Sequence, residues 1–139
     1  MASIFAKIAS GEIPAFKVYE DDQALAFMDI NPASRGHTLV ISRGEFPDLF
    51  DIPADTLAAV ARATQVVAHG IRSALRPDGL NIIQNNGAAA GQVVFHYHVH
   101  VIPRWEGDRA VRLWHPQPGD TGDLRALAEQ IRSAIKTAA

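Results

Sequence analysis

The stretch Phe95-His96-Tyr97-His98-Val99-His100-Val101-Ile102 alternates imidazole with apolar or aromatic side chains. A period of two belongs to a β-strand, whose successive side chains point to opposite faces, and no other segment constrains the fold as tightly. Tyr97, Val99 and Val101 need an apolar layer on one side, while His96, His98 and His100 share the other. The chain must therefore build a sheet that packs against a helix on one face and presents three imidazoles on the opposite one.

The remaining segments supply the rest of such a sheet. Ser3 is placed to cap a short helix carrying Ile4, Phe5 and Ile8, which Gly11 ends before Pro14. From Lys17 to Asp29 two short strand-like runs flank the turn signal Glu20-Asp21-Asp22 and predict a hairpin. Asn31-Pro32 breaks the chain, and Gly36 to Ser42 predicts a third strand. Asp51 is a candidate N-cap with Pro53 in the first turn. Leu57, Val60, Ala61, Thr64, Val67, Ala68, Ile71 and Leu75 then follow helical spacing and predict a helix from about Pro53 to Leu75. After the Pro77-Asp78-Gly79 turn, Leu80 to Gln84 and Val94 to Pro103 predict two more strands. Trp105 to Thr121 reads as an extended loop. Thr121 then caps a last helix over 122–139, with an apolar stripe of Leu124, Leu127, Ala128, Ile131 and Ile135. Strands, long helix, strands and helix in that order favour an α+β domain on an antiparallel sheet.

Composition limits what such a domain does. The 139 residues, 47% hydrophobic and 20% charged, suit one compact unit spanning 1–139 with one core and one site. A formal charge of -2 provides no basic field for nucleic acid, so an anionic ligand has to be gripped locally. With no cysteine there are no disulfides, thiolate metal sites or thiol nucleophiles, which suits a reducing compartment. No leader pattern and no apolar run long enough for a membrane span is evident, and a cytoplasmic protein is expected.

Three imidazoles on one face suit either a metal or phosphoryl chemistry. Histidines at i and i+2 lie about 7 Å apart at Cα and the outer pair about 13 Å, so binding one ion at about 2.1 Å requires the strand to bend. Neutral imidazole, with an ordinary pKa of about 6.5, attacks phosphorus without an added base, and a second, protonated histidine stabilises charge or protonates a leaving group. The small residues of Asn85-Asn86-Gly87-Ala88-Ala89-Ala90-Gly91-Gln92 let backbone N–H groups approach an anion, although the lysine and helix of a P-loop are missing.

In this respect the sequence resembles the histidine triad family. His96-Tyr97-His98-Val99-His100-Val101-Ile102 carries the family mark, and the segments Ile4-Phe5, Glu12-Ile13-Pro14-Ala15, Leu25 to Ile30, Gly36 to Ile41 and Asn85 to Gln92 fall in the family order. The resemblance runs to about Arg104, leaving 105–121 as a loop and 122–139 as a helix outside it. It implies a five-stranded antiparallel sheet with two main helices, usually paired as a homodimer with a continuous sheet. It also implies that His98 is the nucleophile of a covalent nucleotidyl intermediate, that His96 orients it through its main-chain carbonyl, and that His100 and His37 lie near the phosphate. Phe5, Ile8, Ile13, Phe27, Met28 and Ile30 would enclose base and sugar, Asp29 would accept from ribose hydroxyls, and Asn85, Gly91, Gln92 and Val93 would border the phosphate.

The sequence departs from the family pattern at Val93, where many relatives carry a hydroxyl that assists the leaving group. Some bacterial members bind zinc through two cysteines near the start and a further histidine; Ser3, Ala6 and Glu45 occupy those places here, so no zinc and no other cofactor is expected. The expected activity is hydrolysis at the α-phosphate of a purine nucleotide, as a nucleoside phosphoramidase. Dinucleoside polyphosphate hydrolysis and a nucleotide-binding interaction module are the alternatives. Trp114 and His115 mark the loop where specificity would reside, closing over a site in the same or a partner subunit.

Overall fold

The computed structural model describes residues 2–138; Met1 and Ala139, the outermost residues of the amino-terminal stretch and of the expected last helix, lie outside the described residues. The elements in chain order are α1 (Ile4–Ala9), β1 (Lys17–Glu20), β2 (Ala24–Met28), β3 (Thr38–Ser42), α2 (Ala54–Leu75), β4 (Gly79–Ile83), β5 (His98–Arg104) and α3 (Thr121–Ala138). A short 3-10 turn, Ala88–Ala90, lies between β4 and β5. The five strands form one sheet in the order β1-β2-β3-β5-β4, and every neighbouring pair is antiparallel.

Strand alternation divides the core into two layers. Ala24, Ala26, Val40, Val99 and Val101 meet Val60, Ala63 and Val67 of α2 on one face. Leu25, Phe27, Leu39 and Ile41 face the other way and pack with Phe5 and Ile8 of α1. Leu25, Val40, Ile41 and Val101 are completely buried, and each large side chain removed from water contributes about 1.5–3 kcal/mol before entropy is counted. The hairpin turn is set by Asp21, whose Oδ1 accepts the N–H groups of Gln23 and Ala24 at 2.8 Å each.

Three local expectations need correction. Pro53, not Asp51, is the N-cap of α2; its extended backbone presents its carbonyl to the N–H of Leu57, while Asp48 organises the preceding turn by accepting from Phe50 and Ile52. Asp120 rather than Thr121 caps α3, its carboxylate accepting the N–H of Asp123 at 2.9 Å. The last strand begins at His98 instead of Val94, because the Gln92 side-chain amide donates to the carbonyls of Pro47 and Val94 and holds this stretch off the sheet. The stripe of α3 has the expected residues but no described residue of the helix is buried, and Leu124, Leu127, Ile131 and Ile135 remain 43–62% exposed.

Candidate active site

The sheet register brings the histidines to the α1 side. His98 pairs with Ile41 and His100 with Leu39, and these pair in turn with Leu25 and Phe27, so both imidazoles extend rows of apolar side chains across one face. Above them lies a cleft of about 510 Å³. Phe5 and Ile8 of α1, Ile13, and the run from Phe27 to Ile30 form its apolar part; Asp29, His98 and His100 supply polar groups, and Gly91 and Val93 lie on its border. Phe5 stands edge-on to His98, with ring centroids 5.0 Å apart. His96 is not in the lining: it is completely buried beneath the cleft.

The hydrogen-bond partners assign a proton to each ring. The carbonyl of His96 lies 2.7 Å from Nδ1 of His98 and only accepts, so Nδ1 carries the proton and Nε2 keeps its lone pair. Nδ1 of His37 accepts the N–H of Ala33 at 2.9 Å, which places its proton on Nε2. That Nε2–H donates to Nδ1 of His100, 3.0 Å away, so neutral His100 holds its own proton on Nε2. Asp29 Oδ1 accepts the N–H of Asn31 at 2.8 Å, and Oδ2 lies 3.5 Å from Nε2 of His37.

This arrangement, with His98 and His100 of the interior strand β5 facing the cleft and His96 buried beneath it, has close counterparts among known proteins. Residues 10–107 match the HIT domain. The chain belongs to the HIT-domain family. It is 35% identical over 137 residues to the adenosine 5'-monophosphoramidase hnt1 of Schizosaccharomyces pombe, covering 98% of this chain and 100% of that one. It is 45% identical over 105 residues to the adenylylsulfatase HINT3 of Arabidopsis thaliana, covering 76% of this chain and 53% of that one. The crystal structure of a HIT family member from Bacillus subtilis superposes with a TM-score of 0.90 at 36% identity over 96% of each chain. The α+β architecture described above is thus the HIT fold.

Burial sets the charge state of His98, His100 and His37 in the HIT site. Desolvation pushes His98 below the ordinary histidine range, outweighing the hydrogen bond to His96, which favours the charged form. Desolvation followed by repulsion from His98 and His37 takes His100 down to about 4, and His37 is likewise lowered by desolvation against the pull of Asp29. The free site therefore holds neutral rings at pH 7, and His100 offers an N–H rather than the positive charge expected of a second histidine.

Other HIT residues fall differently from expectation. Gln92 is buried, with Oε1 accepting the N–H of Gly87 and Nε2 spent on Pro47 and Val94, so it braces the loop and does not border the cleft. Asn85 is also absent from the lining. The N–H groups of Gly87, Ala90, Gly91 and Gln92 are bonded within the loop, so fewer backbone donors face an anion than its small residues promised. Ile30 reaches the cleft but is 77% exposed, and Val93 at the border is 85% exposed. Asp29, His37 and His100 bring one ligand atom each within 4.8 Å, a spacing a metal ion could use. The N–H of Ala33 on Nδ1 of His37 opposes that use, because it holds a proton on the nitrogen that would face the ion. Sequence reasoning found Ser3 as a helix cap but missed that its hydroxyl meets Nδ1 of His96 at 2.8 Å, a contact across 93 positions that no local pattern encodes.

Proposed function

We propose that this HIT protein hydrolyses purine nucleoside 5'-phosphoramidates, with His98 as nucleophile. The observation that carries this reading is the His98 Nδ1–H donated to the carbonyl of His96, which leaves a neutral Nε2 lone pair in a ring lining the cleft. In the first step the bond from Nε2 to phosphorus forms as the phosphorus–nitrogen bond breaks, and the departing nitrogen takes a proton from solvent to leave as the amine. In the second, water displaces His98, gives up a proton to solvent and releases the nucleoside monophosphate with the neutral ring restored. The neutral Nε2–H of His100 donates to phosphoryl oxygens on which charge builds.

Phe5, Ile8, Ile13, Phe27, Met28 and Ile30 hold the purine and sugar, and the Asp29 oxygen not engaged by Asn31 accepts from the ribose. With Val93 where a hydroxyl would assist departure, leaving groups that need little help are favoured. The phosphoramidase activity of the Schizosaccharomyces pombe relative supports this substrate class. Quenched reactions with an adenosine phosphoramidate test it. Turnover that His98→Ala abolishes is expected, whereas tight binding without turnover would favour a nucleotide-binding module, and preference for dinucleoside polyphosphates would move the activity to that class.

The working unit is a homodimer under this proposal. Two surfaces favour it: the open edge strand β4, whose Ile82 is 52% exposed, and the uncovered stripe of α3.

A further inference from the structure

We propose that Ser3 is a positioning residue for the nucleophile, using its hydroxyl proton to tie the wall of the nucleoside cleft to the ring of His96. The proposal rests on the assignment of His98 as nucleophile but concerns a residue outside the cleft and outside the histidine strand.

His96 is completely buried, and both its ring nitrogens are occupied. Nε2 lies 2.6 Å from the carbonyl of Ser42, which only accepts, so Nε2 carries the proton. With that proton on Nε2, Nδ1 is the acceptor, and the group opposite it at 2.8 Å is the hydroxyl of Ser3. The Ser3 oxygen also accepts the N–H of Ala6 as the N-cap of α1, a role that leaves the hydroxyl proton for Nδ1. Its own N–H donates to Oε1 of Glu45 at 3.1 Å, three residues beyond Ser42. The ring of His96 is thus clamped between the N-cap of α1 and the last residue of β3.

The clamp reaches the reacting atom through one residue. The carbonyl of His96 holds the proton of His98 on Nδ1, so a displaced His96 loosens both the tautomer and the aim of His98. It also reaches the cleft, because the helix that Ser3 caps carries Phe5, which lies edge-on to His96 and His98. A shift of about 1 Å in a reacting group costs up to about a hundredfold in rate, so a hydroxyl that fixes His96 has a kinetic effect disproportionate to one hydrogen bond.

Capping and proton donation are separable by substitution. Ser3→Thr keeps both, Ser3→Asp keeps the cap but has no proton to donate at neutral pH, and Ser3→Ala loses both. With an adenosine phosphoramidate, Ser3→Thr should stay within about threefold of wild-type kcat. Ser3→Asp should lose about tenfold in kcat with KM little changed, and Ser3→Ala should lose kcat and also raise KM as α1 frays. Wild-type kcat in Ser3→Asp would overturn the proposal, because the cap alone would then suffice.

Long-range ¹H–¹⁵N spectra of the wild-type imidazoles test the clamp without substrate and without variants. Protonated Nε2 on His96 and protonated Nδ1 on His98 are expected; a His96 ring protonated on Nδ1 overturns the proposal even if the chain proves an active phosphoramidase. If the clamp signature is present and no phosphoramidate is turned over, the assignment of the reaction fails and the clamp stands.

Discussion

His98 and His100 stand two positions apart on β5, with ring centroids 5.0 Å apart, and hold their protons on opposite nitrogens. The His96 carbonyl draws the proton of His98 to Nδ1, whereas the Nε2–H of His37 occupies Nδ1 of His100 and leaves that ring's proton on Nε2. One strand thereby offers a lone pair and an N–H donor side by side without a charge on either. This arrangement comes from backbone groups at Ala33 and His96 and not from a difference between the two side chains.

The chain from Ala33 through His37 to His100 should therefore matter to rate. Replacing His37 with Ala removes the donor that fixes His100, and kcat toward a phosphoramidate should fall by about 10- to 100-fold with KM changed less. His37→Gln, which offers an amide N–H, should recover part of the loss. Steady-state kinetics of the two variants check this; equal kcat in His37→Ala and wild type would remove His37 from the account.

The pH dependence of kcat/KM reports groups of the free enzyme. Because burial lowers His98 and brings His100 to about 4, the neutral forms that the mechanism needs persist below the ordinary histidine range. The profile should stay flat from pH 8 to below 6.5 and fall only at lower pH, after correction for uncatalysed acid hydrolysis of the substrate. An acid limb centred at or above 6.5 would show that the nucleophile is not the desolvated His98.

Much of this arrangement is readable in the amino-acid order, and the unreadable parts share a physical cause. Strict alternation from His96 to Val101 announces a strand with unlike faces, and Val99 and Val101 do pack toward α2 while His98 and His100 face the cleft. Helical spacing likewise finds α2 to within a residue at either end. The long-range hydrogen bonds stay hidden: nothing near Ser3 indicates that it meets His96, and nothing near Ala33 indicates that its N–H sets the tautomer of His37. Gln92, placed by resemblance at the phosphate, has its amide committed to Gly87, Pro47 and Val94. The stripe of α3 is equally plain in the sequence, but a stripe does not say which surface it meets.

Asp29 divides its carboxylate between a turn and the site, with Oδ1 on the N–H of Asn31 and Oδ2 toward His37. Substituting Asp29 with Asn should raise KM for ribonucleotide substrates by about tenfold, the effect expected for loss of a charged hydrogen bond worth about 1.5–3 kcal/mol, while kcat changes less. The preference for ribose over 2'-deoxyribose should shrink with it. Paired kinetics on the two sugars measure this, and an unchanged preference would place the ribose elsewhere.

If the stripe of α3 is covered by a second copy, a charge within it should separate the subunits. Light scattering coupled to gel filtration should give twice the chain mass for the wild type and a single chain mass for Leu127→Glu with Ile131→Glu, two positions that are 43% and 58% exposed. A monomeric wild type, or a variant that remains dimeric, would contradict the role assigned to this helix.

The account centres on the Nε2 lone pair of His98, and trapping the covalent intermediate tests it most directly. Rapid acid-free quenching of a reaction with a radiolabelled adenosine phosphoramidate, followed by mass spectrometry of peptides containing residues 96–100, should locate one acid-labile nucleotidyl group on His98 and none in His98→Ala. Label on His100, or full turnover with no label on the chain, would contradict it.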